Sequence, residues 1–251
     1  MKNSENKSGR VFYGHGIPRI KCDDLAGRLI VVEGADGSGR STQIARLVAW
    51  LETNGHPTVQ VGLKRSSLVS SELEKAQEGN ILSRTTLALF YATDFADQLE
   101  NIILPALKAG FIVLADRYIF TLIARAAVRG ISRDYLHGIY EMALRPDLTF
   151  WLNVRPEVAF DREFRKSQTI SYWESGRDMS LSNDLFQSFI RYQSMIKREF
   201  EYLSKRHGFI ELDGEGSVSE VNRVLRKQIA SHLGIPRTQY RPSHALSHLW
   251  R

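Results

Sequence analysis

The sequence predicts an α/β protein in which a mostly parallel sheet of about five strands is flanked by helices. Short, continuously apolar runs alternate along the chain with longer stretches whose apolar residues recur at helical spacing. A strand covered by helices on both faces forms such a run, because neither face meets water. The predicted strands span residues 29–32, 57–61, 111–115, 148–154 and 209–212.

Helical spacing and turn residues complete the predicted order of elements. The predicted helices span residues 42–51, 85–107, 182–205 and 218–233. Asn54 and Gly55 are typical of the end of the first helix. Residues 63–80 are polar and are expected to be irregular. The chain divides into an N-terminal extension (1–27) that lies on the body or is partly disordered, a folded domain (28–234) and a basic C-terminal tail (235–251).

The charge distribution limits the possible partners. The chain has 34 basic and 28 acidic residues, and the excess lies at its two ends, which leaves 25 of each between residues 29 and 233. A protein that binds nucleic acid through charge normally carries its basic surplus in the folded part, so such a partner is disfavoured. Cys22 is the only cysteine, the N-terminus has no apolar leader, and apolar runs are too short to span a membrane. We therefore expect a cytoplasmic protein.

A glycine-rich loop follows the first predicted strand. The sequence GADGSGRST, from Gly34 to Thr42, matches the phosphate-binding pattern G-x-x-x-x-G-K-[ST], except that Arg40 replaces the lysine. Glycines allow backbone N–H groups to surround an anion, and the following helix adds its positive N-terminal end. The residues expected to bind the nucleotide phosphates are Gly34, Gly37, Ser38, Gly39, Arg40, Ser41 and Thr42.

An acidic and a basic residue follow the third predicted strand. Asp116 and Arg117 lie at the carboxyl end of that strand, where open α/β sheets bind their ligands. A carboxylate there suits Mg²⁺ together with the hydroxyl of Ser41, and a guanidinium suits a phosphate. Asp116 and Ser41 are therefore the candidate magnesium ligands. These features predict a phosphate-binding loop (P-loop) fold of the kind found in nucleoside triphosphatases and kinases.

Residues 28–234 resemble the thymidylate kinases, a family of P-loop nucleoside-monophosphate kinases. The resemblance rests on VEGADGSGRSTQ (32–43), on LFYA (89–92) with the later Asp-Arg-Tyr, and on PDLTFWLNVRPEVA (146–159). It implies transfer of the γ-phosphoryl group of ATP to a deoxynucleoside monophosphate, usually dTMP, with Mg²⁺. It also implies a mobile lid and a homodimer formed through long helices such as 85–107.

The resemblance also assigns roles to individual residues. Asp36 resembles the carboxylate that meets the acceptor sugar, Arg117 the arginine on its phosphate, and Phe90 the ring that stacks on its base. The lid begins near Arg162 and Lys166 and continues through residues 167–180. The candidate catalytic residues are Arg40, Asp116, Arg162 and Arg165.

Departures from the family pattern lie on the acceptor side. Asp94 stands where the family has a phosphate-binding arginine, and Leu122 and Arg125 replace two residues that read the base and the sugar. We hypothesise that Arg125 or Arg65 supplies the missing phosphate contact. The candidate acceptor-binding residues are Asp36, Arg65, Phe90, Arg117, Thr121 and Arg125. Two alternatives remain, a kinase for another monophosphate and a nucleotide-binding protein that has lost transfer activity.

Overall fold

The computed structural model describes residues 11–78 and 82–235, which contain a five-stranded parallel sheet of order β2-β3-β1-β4-β5. All five predicted strands are confirmed, with ends shifted by one or two residues. The sheet is wholly parallel, because each hydrogen-bonded pair runs in the same direction. The strands are β1 (Arg28–Gly34), β2 (Thr58–Gly62), β3 (Ile112–Asp116), β4 (Leu148–Asn153) and β5 (Ile210–Asp213).

Helices cover both faces of the sheet. The helices are α1 (Arg40–Thr53), α2 (Ser70–Glu78), α3 (Arg84–Gln98), α4 (Leu104–Lys108), α5 (Ile119–Val128), α6 (Arg133–Ile139), α7 (Pro156–Ser167), α8 (Leu185–His207) and α9 (Val218–Leu233). The predicted helix over 85–107 forms as α3 and α4 joined by a π-helical segment, Leu99–Ile103. Pro105 follows that segment at the start of α4 and cannot donate a backbone hydrogen bond.

Two hydrophobic cores lie on opposite faces of the sheet. Along β1, Leu29 and Val31 join the core that includes apolar residues of α3, α5 and α8. The alternate residues, Ile30 and Val32, join the core formed with α1 and α9. This alternation explains why β1 is apolar throughout.

Residues 63–80 are not irregular throughout, because α2 occupies their C-terminal part. This prediction was wrong since α2 buries only Leu73 and Ala76, three residues apart, and is otherwise polar. Two buried positions give too weak a periodic signal to identify a helix.

Part of the N-terminal extension packs on the domain. Phe12 forms an antiparallel bridge with Leu144, and the Tyr13 backbone N–H donates to the carbonyl of Ala143 at 2.9 Å. Residues 1–10 and, apart from Ile235, the C-terminal tail lie outside the described residues. Within 11–78 and 82–235, no helix is long and apolar enough to cross a membrane.

The sheet order brings the two motifs together. β1 lies between β3 and β4, and Val32 is in register with Asp116. The glycine-rich loop after β1 and the Asp-Arg pair at the end of β3 therefore meet at the carboxyl edge of the sheet.

Candidate active site

The glycine-rich loop forms one wall of a cleft of about 470 Å³. Gly37 and Gly39 adopt left-handed backbone conformations, with φ of +77° and +90°. A Cβ atom on Gly37 would lie 2.3 Å from the carbonyl oxygen of Ala159 in α7. Only glycine fits at this position, so close packing of α7 against the loop depends on it.

Arg40 is folded into the loop and is 6% exposed. Its Nε donates to a carboxylate oxygen of Asp116 at 2.9 Å, and a terminal nitrogen donates to the hydroxyl of Ser38 at 3.1 Å. The same nitrogen contacts the carbonyls of Gly34 and Ala35. The positive charge therefore lies inside the loop, and its N–H groups are directed at carbonyl and carboxylate oxygens of the protein.

Ser41 and Asp116, the two candidate magnesium ligands, are in contact. The Ser41 hydroxyl donates to Asp116 at 2.7 Å at the mouth of the loop. One hydroxyl and one carboxylate suit Mg²⁺, which usually completes its shell with water and substrate phosphates. The described residues contain no cluster of three or more histidine, cysteine or acidic side chains that would bind a metal without those additional ligands.

Asp36 is a buried carboxylate surrounded by three guanidinium groups. It pairs with Arg125 at 2.8 Å and Arg40 at 3.6 Å, and it also contacts Arg117. Burial, together with the neighbouring Arg125, lowers the pKa of Arg117 to about 10. Arg117 has a φ of +71°, a backbone conformation that costs free energy in a residue other than glycine and that often marks a functional position. This excess of positive charge suits an anionic phosphate.

A second cavity lies beside Asp36, between α3, α5, α8 and the segment after α7. Its walls include Tyr91, Leu122, Arg125, Arg129, Trp173 and Tyr192. Tyr91 is buried in the same core and lines the cavity, whereas Phe90 is partly buried against that core and does not line the cavity, so its stacking on the base stays a prediction. Neighbouring helix positions differ in direction by about 100°, so the rings of Phe90 and Tyr91 lie on different faces of α3.

The candidate lid residues of α7 differ in whether they line the first cleft. Arg162 lines the first cleft and donates to the carbonyl of Gly214 at 2.8 Å. Arg165 and Lys166 are both exposed, but only Lys166 lines the cleft. Lys166 is therefore the better placed of the two toward the cleft, and a catalytic role for Arg165 stays a prediction.

Thr121 is buried, and its hydroxyl is bound within the protein. It donates to Glu33 at 2.5 Å, and the backbone N–H of Tyr118 donates to the same carboxyl at 2.9 Å. Glu33 therefore caps the N-terminus of α5 from β1, and its burial raises its pKa to about 7. The hydroxyl proton of Thr121 is therefore used inside the protein, and contact of Thr121 with the acceptor stays a prediction. The only sequence signal for this role of Glu33 was a carboxyl group in an otherwise apolar strand.

Asp94 is also structural. It is 1% exposed, and its carboxylate accepts hydrogen bonds from the backbone N–H groups of Lys64 and Ser66, with N···O distances of 2.9 Å. Asp94 therefore connects α3 to the backbone of the turn that follows β2 and stabilises that turn. Arg65, in that turn, is exposed and lines neither cavity, whereas Arg125 lines the second cavity.

The parallel sheet, the glycine-rich loop and the adjoining basic cavity define a P-loop enzyme of the nucleoside-monophosphate kinase class. The family model described as thymidylate kinase matches residues 32–223. The chain therefore belongs to the thymidylate kinase family.

Curated relatives cover most of the chain. It is 34% identical to "Probable thymidylate kinase 2" of Saccharolobus solfataricus over 210 residues, which are 83% of this chain and 98% of that protein. It is 35% identical to a thymidylate kinase of Chlorobium chlorochromatii, covering 82% and 95% of the two chains. It is 33% identical to a thymidylate kinase of Pelobacter propionicus, covering 81% and 94%.

Proposed function

We propose that this protein transfers the γ-phosphoryl group of ATP to dTMP, giving dTDP and ADP, with Mg²⁺. The observation that carries the proposal is the position of Asp36. It pairs with Arg40 of the glycine-rich loop and with Arg125 of the second cavity, so the donor and acceptor sides meet at one carboxylate. The names of the curated relatives support dTMP as the acceptor.

On the donor side, the chain provides backbone N–H groups and one buried cation. The N–H groups of residues 37–42 hold the phosphates, and Arg40 neutralises their charge. Magnesium held by Ser41 and Asp116 would stabilise negative charge on the donor oxygens. Arg162 and Lys166 bring positive charge from the opposite wall of the cleft.

On the acceptor side, Arg117 and Arg125 orient the monophosphate toward the donor. The attacking atom is a phosphate oxygen that is already ionised, so no protein base is required. The contribution of the chain is positioning and electrostatic stabilisation. Tyr91 and Trp173 provide aromatic surface for the base.

Two observations favour the alternatives. Leu122 and Arg125 in the second cavity favour a different monophosphate acceptor. The close packing of Arg40 against loop carbonyls favours a protein that binds nucleotide without transferring phosphate.

The test is ADP release by the purified protein with Mg-ATP and a panel of monophosphates, with the product identified by mass. The panel contains dTMP, dUMP, the other deoxynucleotides and the ribonucleotides. We expect turnover with dTMP that is lost on chelation of Mg²⁺ and in Asp116→Asn. Turnover with another acceptor alone would change the substrate. ATP binding without turnover across the panel would contradict the proposed activity.

A further inference from the structure

The first cleft extends to both sides of the glycine-rich loop. Asp36, near the start of the loop, contacts Arg117, which lines one end of the cleft. Gln43, just after the loop, donates to the carbonyl of Val218 in α9 at 3.0 Å. The opposite end of the cleft, which we call the far end, therefore lies against α9 and the turn after β5. Four residues line it: Gly214, Gly216, Val218 and Val221.

The direction of phosphoryl transfer assigns the far end to the donor nucleoside. In the proposed function, Arg117 and Arg125 hold the acceptor, and its phosphate oxygen attacks the γ-phosphorus of the donor. The γ-phosphate must therefore face Arg117, and the α-phosphate and the nucleoside must point away from it. With the phosphates over residues 37–42, the base of the donor lies at the far end.

The turn that forms the far end is held by β4 and α7. The backbone N–H of Gly214 donates to the carbonyl of Asn153, at the end of β4, at 2.9 Å. Arg162 in α7 donates to the carbonyl of Gly214 at 2.8 Å. The carboxylate of Glu215 accepts the backbone N–H of Arg155, at the start of α7, at 2.8 Å. This wall is therefore formed before any nucleotide binds.

The polar groups around the far end are paired within the protein. The four residues that line it have glycine or valine side chains, which form no hydrogen bonds. Arg162 directs both terminal nitrogens to carbonyls of the turn, and the amide nitrogen of Gln43 is bound to Val218. The amide oxygen of Gln43 accepts from Asn222 at 3.0 Å, and both residues are 3% exposed. The far end therefore presents surface for packing rather than partners for the edge of a base.

We infer that the far end holds the donor base by packing, so that the protein uses purine and pyrimidine nucleoside triphosphates as phosphoryl donors with similar efficiency. This inference rests on the proposed function, because the direction of transfer places the base. Each donor loses its γ-phosphoryl group to the acceptor oxygen and leaves as the matching nucleoside diphosphate. Sites that hydrogen-bond their ligand discriminate by about ten-thousandfold or more, whereas apolar sites discriminate far less.

A donor panel tests the inference directly. The purified protein receives dTMP, Mg²⁺ and one of ATP, GTP, CTP or UTP, and the dTDP formed is quantified by mass. We expect the four kcat/KM values to lie within about tenfold of one another. A wider spread would overturn the inference.

Val218→Ala tests the position of the base, and Val224→Ala is its matched control. Both valines belong to α9 and are similarly exposed, at 42% and 37%, but of the two only Val218 lines the cleft. Binding is measured without acceptor, by displacement of a fluorescent ATP analogue. In Val218→Ala we expect the inhibition constants of all four triphosphates to rise about threefold, because apolar contact with the base is lost. The constant for inorganic tripolyphosphate, which has no base, should stay at the native value.

In Val224→Ala, no inhibition constant should change. An equal rise for tripolyphosphate in Val218→Ala, or no rise for the four triphosphates, would overturn the placement of the base at the far end.

Binding without acceptor also separates this inference from the proposed activity. The native protein should bind the four triphosphates with inhibition constants within about tenfold of one another. If it does so but phosphorylates no monophosphate, the proposed function is contradicted and the far end remains a base site without base selection. Transfer from ATP to dTMP together with tight binding of ATP alone would keep the proposed function and overturn the inference. Binding of none of the four would contradict both.

Discussion

The donor and acceptor sides of the cleft are built in different ways. The proposed donor side is one contiguous segment, residues 34–42, whose backbone groups and glycine conformations form the wall of the cleft. The acceptor side is assembled from side chains of α3, α5, α8 and the lid, between Tyr91 and Tyr192. Asp36 is the residue at which the two sides meet.

This difference explains why one side keeps the family pattern and the other departs from it. A backbone site depends on the conformation of the loop, and Arg40 keeps the positive charge of the lysine in the phosphate-binding pattern. A side-chain site can change one contact at a time while the fold is unaffected. Leu122 and Arg125 are changes of this second kind, and Asp94 has become part of the local structure.

The largest expected effect is on the donor side. Gly37→Ala places a Cβ atom 2.3 Å from the carbonyl oxygen of Ala159, at a φ of +77°, so the loop must open. We expect about a thousandfold loss in kcat/KM for ATP, measured by ADP release. Gly55→Ala is the control, because Gly55 has a φ of +80° but among the described atoms none lies within 4 Å of the added Cβ. It should cost about 1 kcal/mol of stability and leave kcat/KM unchanged. Equal losses in both variants would show that backbone strain alone, and not the contact with α7, is responsible.

The second effect concerns Glu33, which fixes the start of the helix that carries Arg125. Burial raises its pKa from 4.5 to about 7, so the folded protein binds more protons than the unfolded chain between these values. This contribution to stability is present below pH 4.5 and is lost as the pH rises through 7, a change of about 3 kcal/mol. The free energy of unfolding of the native protein and of Glu33→Gln, determined with denaturant between pH 4.5 and 7, measures this contribution.

The difference in stability between the native protein and Glu33→Gln isolates the pH dependence that Glu33 contributes. His207 has a pKa lowered by burial to about 4, so its contribution rises with pH up to about 6.5 and opposes that of Glu33. Because His207 is present in both proteins, its effect cancels in the difference. We expect the native protein to lose stability relative to Glu33→Gln with increasing pH. A difference that is independent of pH would contradict the buried capping role.

The parts of the structure that could be predicted from sequence are those encoded by local pattern. The five strands are continuous apolar runs, and the glycine-rich loop is nine consecutive residues, so neither requires knowledge of distant contacts. Asp116 was found because it directly follows a buried strand, and β1 and β3 are neighbours in the sheet.

The parts that could not be predicted depend on pairing between distant segments. Arg129 and Asp178 form an ion pair although they are 49 positions apart, and nothing near either residue indicates the other. The cap that Glu33 provides to α5 joins residues 85 positions apart. Phe90 and Arg165 each lie one position before a residue that lines a cavity, because a sequence motif does not define the direction of a helical side chain as finely as packing does.

A smaller effect separates the two arginines considered for the acceptor phosphate. Arg125→Ala removes the ion pair with Asp36 inside the cavity, whereas Arg65 is exposed. We expect about a thirtyfold loss in acceptor kcat/KM for Arg125→Ala, about 2 kcal/mol, and less than about twofold for Arg65→Ala. ATP binding, measured by titration without acceptor, should be unchanged in both. If Arg65→Ala gave the larger loss, the turn after β2 would have to contact the acceptor.

The smallest effect tests the direction of α3. The Tyr91 hydroxyl accepts a hydrogen bond from the Gln77 side chain at 2.8 Å on the wall of the acceptor cavity, and Phe90 packs against the core. Tyr91→Phe removes the hydrogen bonds of the hydroxyl with Gln77 and Arg125 but keeps the ring, so we expect the acceptor KM to rise about threefold. Phe90→Leu should leave the acceptor KM unchanged and reduce only stability, by about 1 kcal/mol. Since the rings are adjacent in sequence, the opposite result would show that α3 presents its Phe90 face to the acceptor, as the sequence predicts.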